Sequence, residues 1–382
     1  MDKRKTTLET AYTTLIPSRG QNGIEHLMKI AQICHRYPPY IGGVEEHVRS
    51  ISERLAKKFE VTVFTTDPSA RFPRVETVAN VEIRRFRAWA PDDAYYFSRG
   101  LRKYLEKHSG SFEIVHAHNY HALPSLYAAQ NKGSSKLVFT PHFHGAGSTF
   151  FRSLLNIPYR FFGKKIFSNA DAIVCVSNYE RASILKQFKL DENRISVIPN
   201  GVDLEYLISP KVEKTGRTIL YVGRIQKYKG VQYLVKALPQ LGDDKILEIV
   251  GKGPYKEKLI KIARSLGVSS RVLFFQDLSQ KELLRKYAEA DIFALLSKYE
   301  AYGITVAQAL ASGVPCIVAR TSALQEWIDN ENCYGIDYEI DVRELAHLIE
   351  DVMGKRVVGV KLPTWDEVTA KLVSVYYKVM SH

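Results

Sequence analysis

The chain has 382 residues, 45% of them hydrophobic, and its 54 Lys and Arg residues against 41 Asp and Glu residues give a net charge of +13. This length suffices for two domains that each bury a core, and the composition excludes a disordered or fibrous chain. No apolar run reaches transmembrane length, so no membrane-spanning helix is predicted, while the positive charge favours anionic partners without choosing among them.

The start of the chain and its cysteines bear on where the protein works. Residues 1–27 are polar and a clean apolar segment begins only at Met28, so we interpret 1–27 as an upstream extension or a remnant of expression. The four cysteines stand far apart and form no CxxC pair. Buried free thiols in a reducing compartment fit this spacing best, which predicts a cytoplasmic protein.

In the first half of the chain, short apolar runs alternate with helical patterns. The clearest helix is 44–58, where four apolar residues repeat at helical spacing. Strands that alternate with helices predict parallel sheets built from βαβ units. The predicted strands are Lys29–Cys34, Val61–Thr65, Val81–Arg85, Phe112–His116, Leu137–Thr140, Ala172–Val176 and Ile195–Ile198.

The second half repeats this rhythm after a polar linker at 209–216. We therefore predict an α/β protein with two doubly wound domains, at 28–208 and 216–361, whose strand-end loops face a cleft. A last amphipathic helix is predicted at Trp365–Met380, within 362–382. The strands predicted in this half are Thr218–Val222, Ile246–Val250, Arg271–Phe275, Ile292–Leu295 and Cys316–Val318.

Two loops of the first half carry candidate binding residues. Gly42 and Gly43 directly precede a helix, where backbone can approach an anion closely, although Gly-Gly is also common in ordinary turns. Histidines follow two strand ends, and a polar lining with one core histidine is the simpler interpretation. A metal site is the alternative, but no carboxylate or cysteine completes a known ligand pattern, so none is predicted. The histidines are His116, His118, His121, His142 and His144.

Basic and glycine-rich loops follow the strands of the second half. Gly223-Arg224 and Lys229-Gly230 come after a strand, and a fixed pair of cations suits a diphosphate, with a solvated basic loop as the alternative. Gly251 and Gly253 form a GxG turn that lacks the third glycine of a dinucleotide fingerprint, which argues against a nicotinamide enzyme.

The segment from Glu300 to Pro315 is the most informative. Glu300 lies just before a new helix, and the N–H groups of Gly303, Ile304 and Thr305 at its start suit a phosphate. Gln308 falls about one turn into that helix. Glu300 is alternatively a cap or a surface acid.

In their order along the chain, these motifs resemble glycosyltransferase family 4, within the GT-B fold. The resemblance runs from Met28 to the last helix, and its final piece resembles the family's E-x7-E element. The matching pieces are Gly42-Gly43, His116-Ala117-His118, Thr140-Pro141-His142, Ser177-Asn178, Ile198–Asp203, Gly223-Arg224 with Lys229-Gly230, Gly251–Pro254 and Glu300–Pro315.

The resemblance implies a retaining enzyme that moves a hexose or N-acetylhexosamine from a nucleotide-sugar to a glycan or lipid-linked acceptor. It implies that Arg224 and Lys229 neutralise the donor diphosphate, that Glu300 bonds the transferred sugar, and that no metal or other cofactor is needed. Gly42, Gly43, Gly223, Gly251, Gly253, Gly303, Ile304 and Thr305 would approach the donor, His118 with His116 and His142 would line the acceptor side, and the last helix would cross back to the first domain.

One residue departs from the family pattern. Gln308 stands where the family has its second glutamate, the usual partner of the donor ribose. An amide keeps hydrogen-bonding capacity but loses the stronger charge-assisted bond. The departure leaves open a catalytically weak partner subunit, and other GT-B enzymes, such as an epimerase or a phosphorylase, are further alternatives.

The sequence predicts the acceptor and the location of the protein in less detail than the donor site. Phe150–Phe167 mixes aromatic and basic residues, as does 84–97, which suits an anionic membrane surface on the inner face of the cell membrane. A core helix with a solvated basic face is the alternative. N-glycan or cell-surface polysaccharide assembly are the pathways considered. Nucleic acid is not expected, because no nucleic-acid motif accompanies the charge.

Overall fold

The computed structural model describes residues 27–145, 161–207 and 214–381, and these form two sheets. The first sheet has the order β3-β4-β2-β1-β5-β6-β7-β8 and the second the order β11-β10-β9-β12-β13-β14. The first comprises β1 Lys29–Ile33, β2 Glu60–Asp67, β3 Val75–Val78, β4 Val81–Arg87, β5 Ile114–His118, β6 Lys136–Thr140, β7 Ala172–Cys175 and β8 Ile195–Val197. The second comprises β9 Thr218–Val222, β10 Ile246–Val250, β11 Val272–Phe275, β12 Ile292–Leu295, β13 Cys316–Ala319 and β14 Cys333–Ile336.

Helices cover both faces of each sheet, as parallel strands require. They are α1 Gly43–Leu55, α2 Arg99–His108, α3 Leu123–Asn131, α4 Asn178–Gln187, α5 Leu204–Leu207, α6 Val231–Ala237, α7 Lys256–Ser265, α8 Gln280–Glu289, α9 Ile304–Ala311, α10 Val342–Val352 and α11 Trp365–Met380. Residues 161–169 are also helical.

The strand composition explains the sheets. All pairings among the described strands are parallel except β3 with β4, and central strands such as β5 and β12 are buried along their whole length. Continuous apolar runs are what a sheet covered on both faces needs. The predicted architecture of two Rossmann-like sheets is therefore confirmed.

Two strands were not predicted from the sequence. β3 is an exposed edge strand that pairs antiparallel with β4 through Ala79 and Asn80, both at positive φ. β14 is also an edge strand: it is short and lies beside β13 at one edge of the second sheet. Edge strands this short lack both the alternation and the long apolar run that make a strand visible in sequence.

The last helix packs on the first sheet, which confirms the predicted crossover. A capping box of Thr364 and Glu367 starts α11. Its buried face, including Trp365 and Tyr376, belongs to the same core cluster as Ile30 of β1 and residues of α1. The close approach of the chain at Gly201 completes this contact, since a Cβ there would lie 2.5 Å from the backbone nitrogen of Trp365.

Three predicted segments lie partly outside the described residues. Of the aromatic and basic segment Phe150–Phe167, residues 150–160 lie outside the described residues, as do 208–213 of the linker region, and 1–26. No helix among the described residues is long and apolar enough to cross a membrane.

Candidate active site

The carboxyl ends of the strands of both sheets meet at a cleft, and several contacts cross it. Ser177 Oγ donates to the carbonyl oxygen of Ala301 at 2.7 Å, and Tyr302 Oη donates to the carbonyl oxygen of Asn200 at 3.0 Å. Parallel sheets bind ligands at this edge. The cleft is thus the place where the predicted site residues of both halves can act together.

At the first wall, Gly42 caps α1 and Gly43 is the first residue of that helix. A Cβ on Gly42 would lie 2.3 Å from a carboxylate oxygen of Glu45, and one on Gly43 would lie 3.7 Å from Cδ1 of Ile304 across the cleft. Glu45 is buried and accepts a bond from Arg36 at 2.8 Å. The start of α1 therefore already holds a carboxylate, which the sequence did not indicate, and Gly43 lies against the predicted phosphate helix.

That helix, α9, begins at the opposite wall. Gly303 caps it in the left-handed region, at φ 98, where a side chain is disfavoured. Trp327 fixes this turn by donating to the carbonyl oxygen of Tyr302 at 2.7 Å. The first N–H groups of a helix have no partner within it, so Ile304 and Thr305 stand where an anion is stabilised.

Lys229 and Glu300 are brought together beside this helix. Nζ of Lys229 lies 2.5 Å from Oε1 of Glu300, and both side chains are largely buried. Gly230 allows the approach, because a Cβ there would lie 2.1 Å from the carbonyl oxygen of Leu296. The backbone N–H of Lys298 donates to the backbone carbonyl oxygen of Tyr228 at 2.8 Å. This bond joins the loops that carry Lys229 and Glu300. A cation and a carboxylate thus sit at one point of the cleft.

Arg224 faces the first domain across the cleft. Its guanidinium bonds the hydroxyl of Tyr228 at 3.1 Å and lies 3.8 Å from a carboxylate oxygen of Asp93. Burial alone would lower the pKa of Arg224, but Tyr228 and the carboxylates of Glu45, Asp93 and Glu300 outweigh it and raise that pKa. Arg224 therefore remains a cation whose anionic partner in this structure is Asp93.

The remaining glycines that were predicted to approach the donor are required by the packing of the backbone. A Cβ on Gly251 would lie 2.0 Å from the carbonyl oxygen of Gly223, and one on Gly253 would lie 2.1 Å from that of Ile225. The loops after β9 and β10 thus touch backbone to backbone. This contact requires glycine whether or not a ligand binds.

Gln308 is tied to the interior of the second domain. The buried hydroxyl of Tyr287 donates to Oε1 of Gln308 at 3.1 Å. The carbonyl oxygen therefore already accepts one bond, and Gln308 offers a ligand its N–H groups and the second lone pair of that oxygen.

His116 and His118 lie beneath the cleft surface, both fully buried. His116 bonds Tyr376 Oη at 2.7 Å and Thr140 Oγ1 at 2.8 Å through its two ring nitrogens. His118 bonds Oε1 of Gln32 at 2.7 Å, and Gln32 donates to the same tyrosine hydroxyl at 3.1 Å. This network ties α11 to the strand ends, so His116 acts on a ligand only through its neighbours.

A third histidine, His47 of α1, joins His118 and His142. One ring nitrogen of each lies within 4.8 Å of those of the other two, and all three are buried. Burial lowers the pKa of each, to about 4 for His47, so the rings are neutral at physiological pH. Asn200 fixes His47 through Nδ1 at 2.6 Å. His47 is not among the histidines predicted from the sequence, although it adjoins the apolar face of α1.

The loop that carries His142 is fixed from below. Glu180, fully buried, accepts the backbone N–H of Phe143 at 2.5 Å and that of Val176 at 2.6 Å. Burial raises the pKa of Glu180 to about 8, although the two hydrogen bonds from backbone N–H groups act to lower it. Glu180 thus joins the loops after β6 and β7, and its part was not predicted.

Two facing Rossmann-like domains with cations and a helix N-terminus at their strand ends define a GT-B glycosyltransferase. The sequence matches the family described as Glycosyltransferase Family 4 over residues 41–206 and that described as Glycosyl transferases group 1 over residues 205–361. The chain belongs to glycosyltransferase family 4 and is a transferase.

Similar proteins agree with this family. A glycosyltransferase of Methanocaldococcus jannaschii is 24% identical over 91% of this chain and 98% of its own, and a D-inositol 3-phosphate glycosyltransferase of Corynebacterium glutamicum is 26% identical over 74% and 76%. In fold, the chain resembles sucrose-phosphate synthase from Thermosynechococcus elongatus, with a TM-score of 0.73 at 22% identity over 93% and 94% of the chains. HepE of Anabaena, in complex with UDP and glucose, gives 0.70 at 15% over 93% and 98%.

Proposed function

We infer that this glycosyltransferase transfers a hexose or N-acetylhexosamine from a nucleoside diphosphate sugar to a glycan or lipid-linked acceptor, with retention of configuration. The observation that carries the inference is the convergence of Arg224, Lys229 and the start of α9 at one point of the cleft, beside Glu300. Cations and helix N–H groups are what a diphosphate needs, and a carboxylate suits sugar hydroxyls.

The donor class has support from similar folds. HepE is described in complex with UDP-glucose, and starch synthase IV of Arabidopsis thaliana is described bound to ADP and acarbose. UDP-glucose contains a nucleoside diphosphate, and ADP is one. The two relatives named above are described as glycosyltransferases, which favours transfer over the alternatives of a silent partner or an epimerase.

The proposed chemistry follows from where charge develops. The bond between the sugar C1 and the diphosphate oxygen breaks, and negative charge grows on the leaving diphosphate. Arg224, Lys229 and the N–H groups of Ile304 and Thr305 stabilise that charge without reorganisation, so a catalytic metal is not required. The acceptor hydroxyl attacks C1 from the same face and passes its proton to the diphosphate, while Glu300 holds hydroxyls of the transferred sugar.

Thermal unfolding in the presence of nucleotides tests this proposal. A ligand that binds only the folded state raises Tm, so one of UDP, GDP and ADP, with its sugar derivative, should stabilise the protein selectively. Arg224→Ala should abolish that shift. Arg217→Ala is the matched control, because Arg217 is an exposed arginine just before β9 whereas Arg224 follows its end. Absence of any shift with the wild type would contradict the proposal.

A further inference from the structure

An exposed aromatic surface lies beside the cleft and takes no part in the donor site. Trp89 is 66% exposed and Phe97 41% exposed, and their rings stack with centroids 5.4 Å apart and planes inclined by 27°. Tyr95 continues the stack, 5.4 Å from Phe97 at 23°. We call these three side chains the aromatic plate. Clustered apolar rings in water mark a binding surface, because burying them is strongly favourable.

The backbone holds the plate rigidly. Trp89 and Phe97 exchange two backbone hydrogen bonds, each of 2.9 Å. Ser98 Oγ donates to the carbonyl oxygen of Arg87 at 2.7 Å and closes the base of this hairpin, while the N–H of Leu123 donates to the carbonyl oxygen of Tyr95 at 2.8 Å. A surface fixed before binding loses little conformational entropy when its ligand arrives.

The tip of the same hairpin reaches into the cleft. Asp93 accepts two bonds from Arg36, at 2.9 and 3.1 Å, and lies 3.8 Å from Arg224 of the second domain. Asp93 is four positions after Trp89, so their Cα atoms are at most about 14 Å apart. The plate is therefore within that reach of Asp93, the residue that faces Arg224.

We propose that the aromatic plate is an acceptor subsite, which stacks a sugar ring further along the acceptor glycan than the reacting sugar. The proposal rests on the proposed function. A pyranose has a flat C–H face that covers an aromatic ring, and Trp89, the end ring of the stack and 66% exposed, offers one such ring. A lipid surface is the other occupant that exposed aromatic rings suit, but this plate shares its hairpin with a turn inside the cleft, where the acceptor must come.

Binding of the full-length protein to a broad glycan array tests the subsite. The wild type should bind a set of oligosaccharides, and Trp89→Ala or Phe97→Ala should weaken that binding about tenfold each, which corresponds to about 1.4 kcal/mol. Trp89→Tyr keeps a ring and should restore most of it. Phe161→Ala, which removes an exposed aromatic ring elsewhere in the first domain, should bind as the wild type does.

Two further readouts separate the possible failures. Each variant should keep the nucleotide-induced rise in Tm, which shows that it is folded with its donor site intact; a wild type that no nucleotide stabilises contradicts the proposed function instead. Vesicles of phosphatidylcholine and phosphatidylglycerol test the lipid occupant. The subsite is refuted if the wild type binds no glycan, if the variants bind the same glycans equally well, or if they lose vesicle binding alone.

Discussion

At the scale of single residues, Lys229 and Glu300 are an example of a contact that can be predicted from the sequence. They are 71 positions apart, yet each follows a strand of the same parallel sheet, whose ends meet at one edge. Their proximity could thus be predicted. Glu45 and Asp93, which neutralise the cations of the cleft, could not, because their positions depend on how α1 and the hairpin at 89–97 fold against the other domain.

Gln308 yields a prediction at this scale. Its carbonyl oxygen already accepts from Tyr287, so the neutral amide offers a hydroxyl of the nucleotide-sugar its N–H groups and one remaining lone pair. In Gln308→Glu, the carboxylate can accept from Tyr287 and from the ligand, and charge-assisted bonds are roughly twice as strong. We expect the KM for the nucleotide-sugar to fall several-fold with kcat little changed. Gln240→Glu, at an exposed position, is the control, and an unchanged or higher KM for Gln308→Glu would refute the explanation.

At the scale of elements, the periodicity of the chain predicted most of the fold. The last helix begins and ends at the predicted residues, because the capping box of Thr364 and Glu367 and an apolar face mark it locally. β3 was not predicted because it forms through its pairing with β4, and no pattern within its own four residues marks it as a strand. The histidine network was also unpredictable, since it joins β5 to a helix 260 positions away.

That network predicts how α11 contributes to stability. Removing the hydroxyl in Tyr376→Phe leaves His116 and Gln32 without their shared partner, and a buried polar group left unsatisfied costs about 1–3 kcal/mol. We expect a lower denaturant midpoint in urea unfolding. Tyr377→Phe, one residue on and partly exposed, should change it little. Equal stability of Tyr376→Phe and the wild type would mean that the network adds nothing.

At the scale of the whole molecule, the buried histidines predict a dependence of stability on pH. Burial lowers the pKa of His35 and His47 to about 4 and those of His116, His118 and His142 well below the ordinary value. The unfolded chain, with histidine pKa values near 6.5, therefore binds more protons than the folded one below that pH.

The contribution of these histidines to the free energy of unfolding should thus be constant above about pH 6.5. It should fall as the pH drops towards 4, by roughly 1.4 kcal/mol per pH unit for each such histidine. Urea titrations at several pH values measure it. His47→Gln should flatten the slope, whereas the exposed His347→Gln should not. A free energy that stays level through this range would show that the histidines are not neutral by burial.

The central claim is that the cleft between the two domains uses Arg224 and Lys229 to release a nucleoside diphosphate from a sugar donor. The most direct measurement is the rate of nucleoside diphosphate release from UDP-glucose, UDP-N-acetylglucosamine and GDP-mannose by the wild type, Arg224→Ala, Lys229→Ala and the control Arg217→Ala. We predict release from one donor, lowered at least about 100-fold in the two cleft variants, as loss of preorganised charge stabilisation implies, and kept in the control. Near-normal release by folded Arg224→Ala and Lys229→Ala, or no release from any donor by the wild type, would contradict the account.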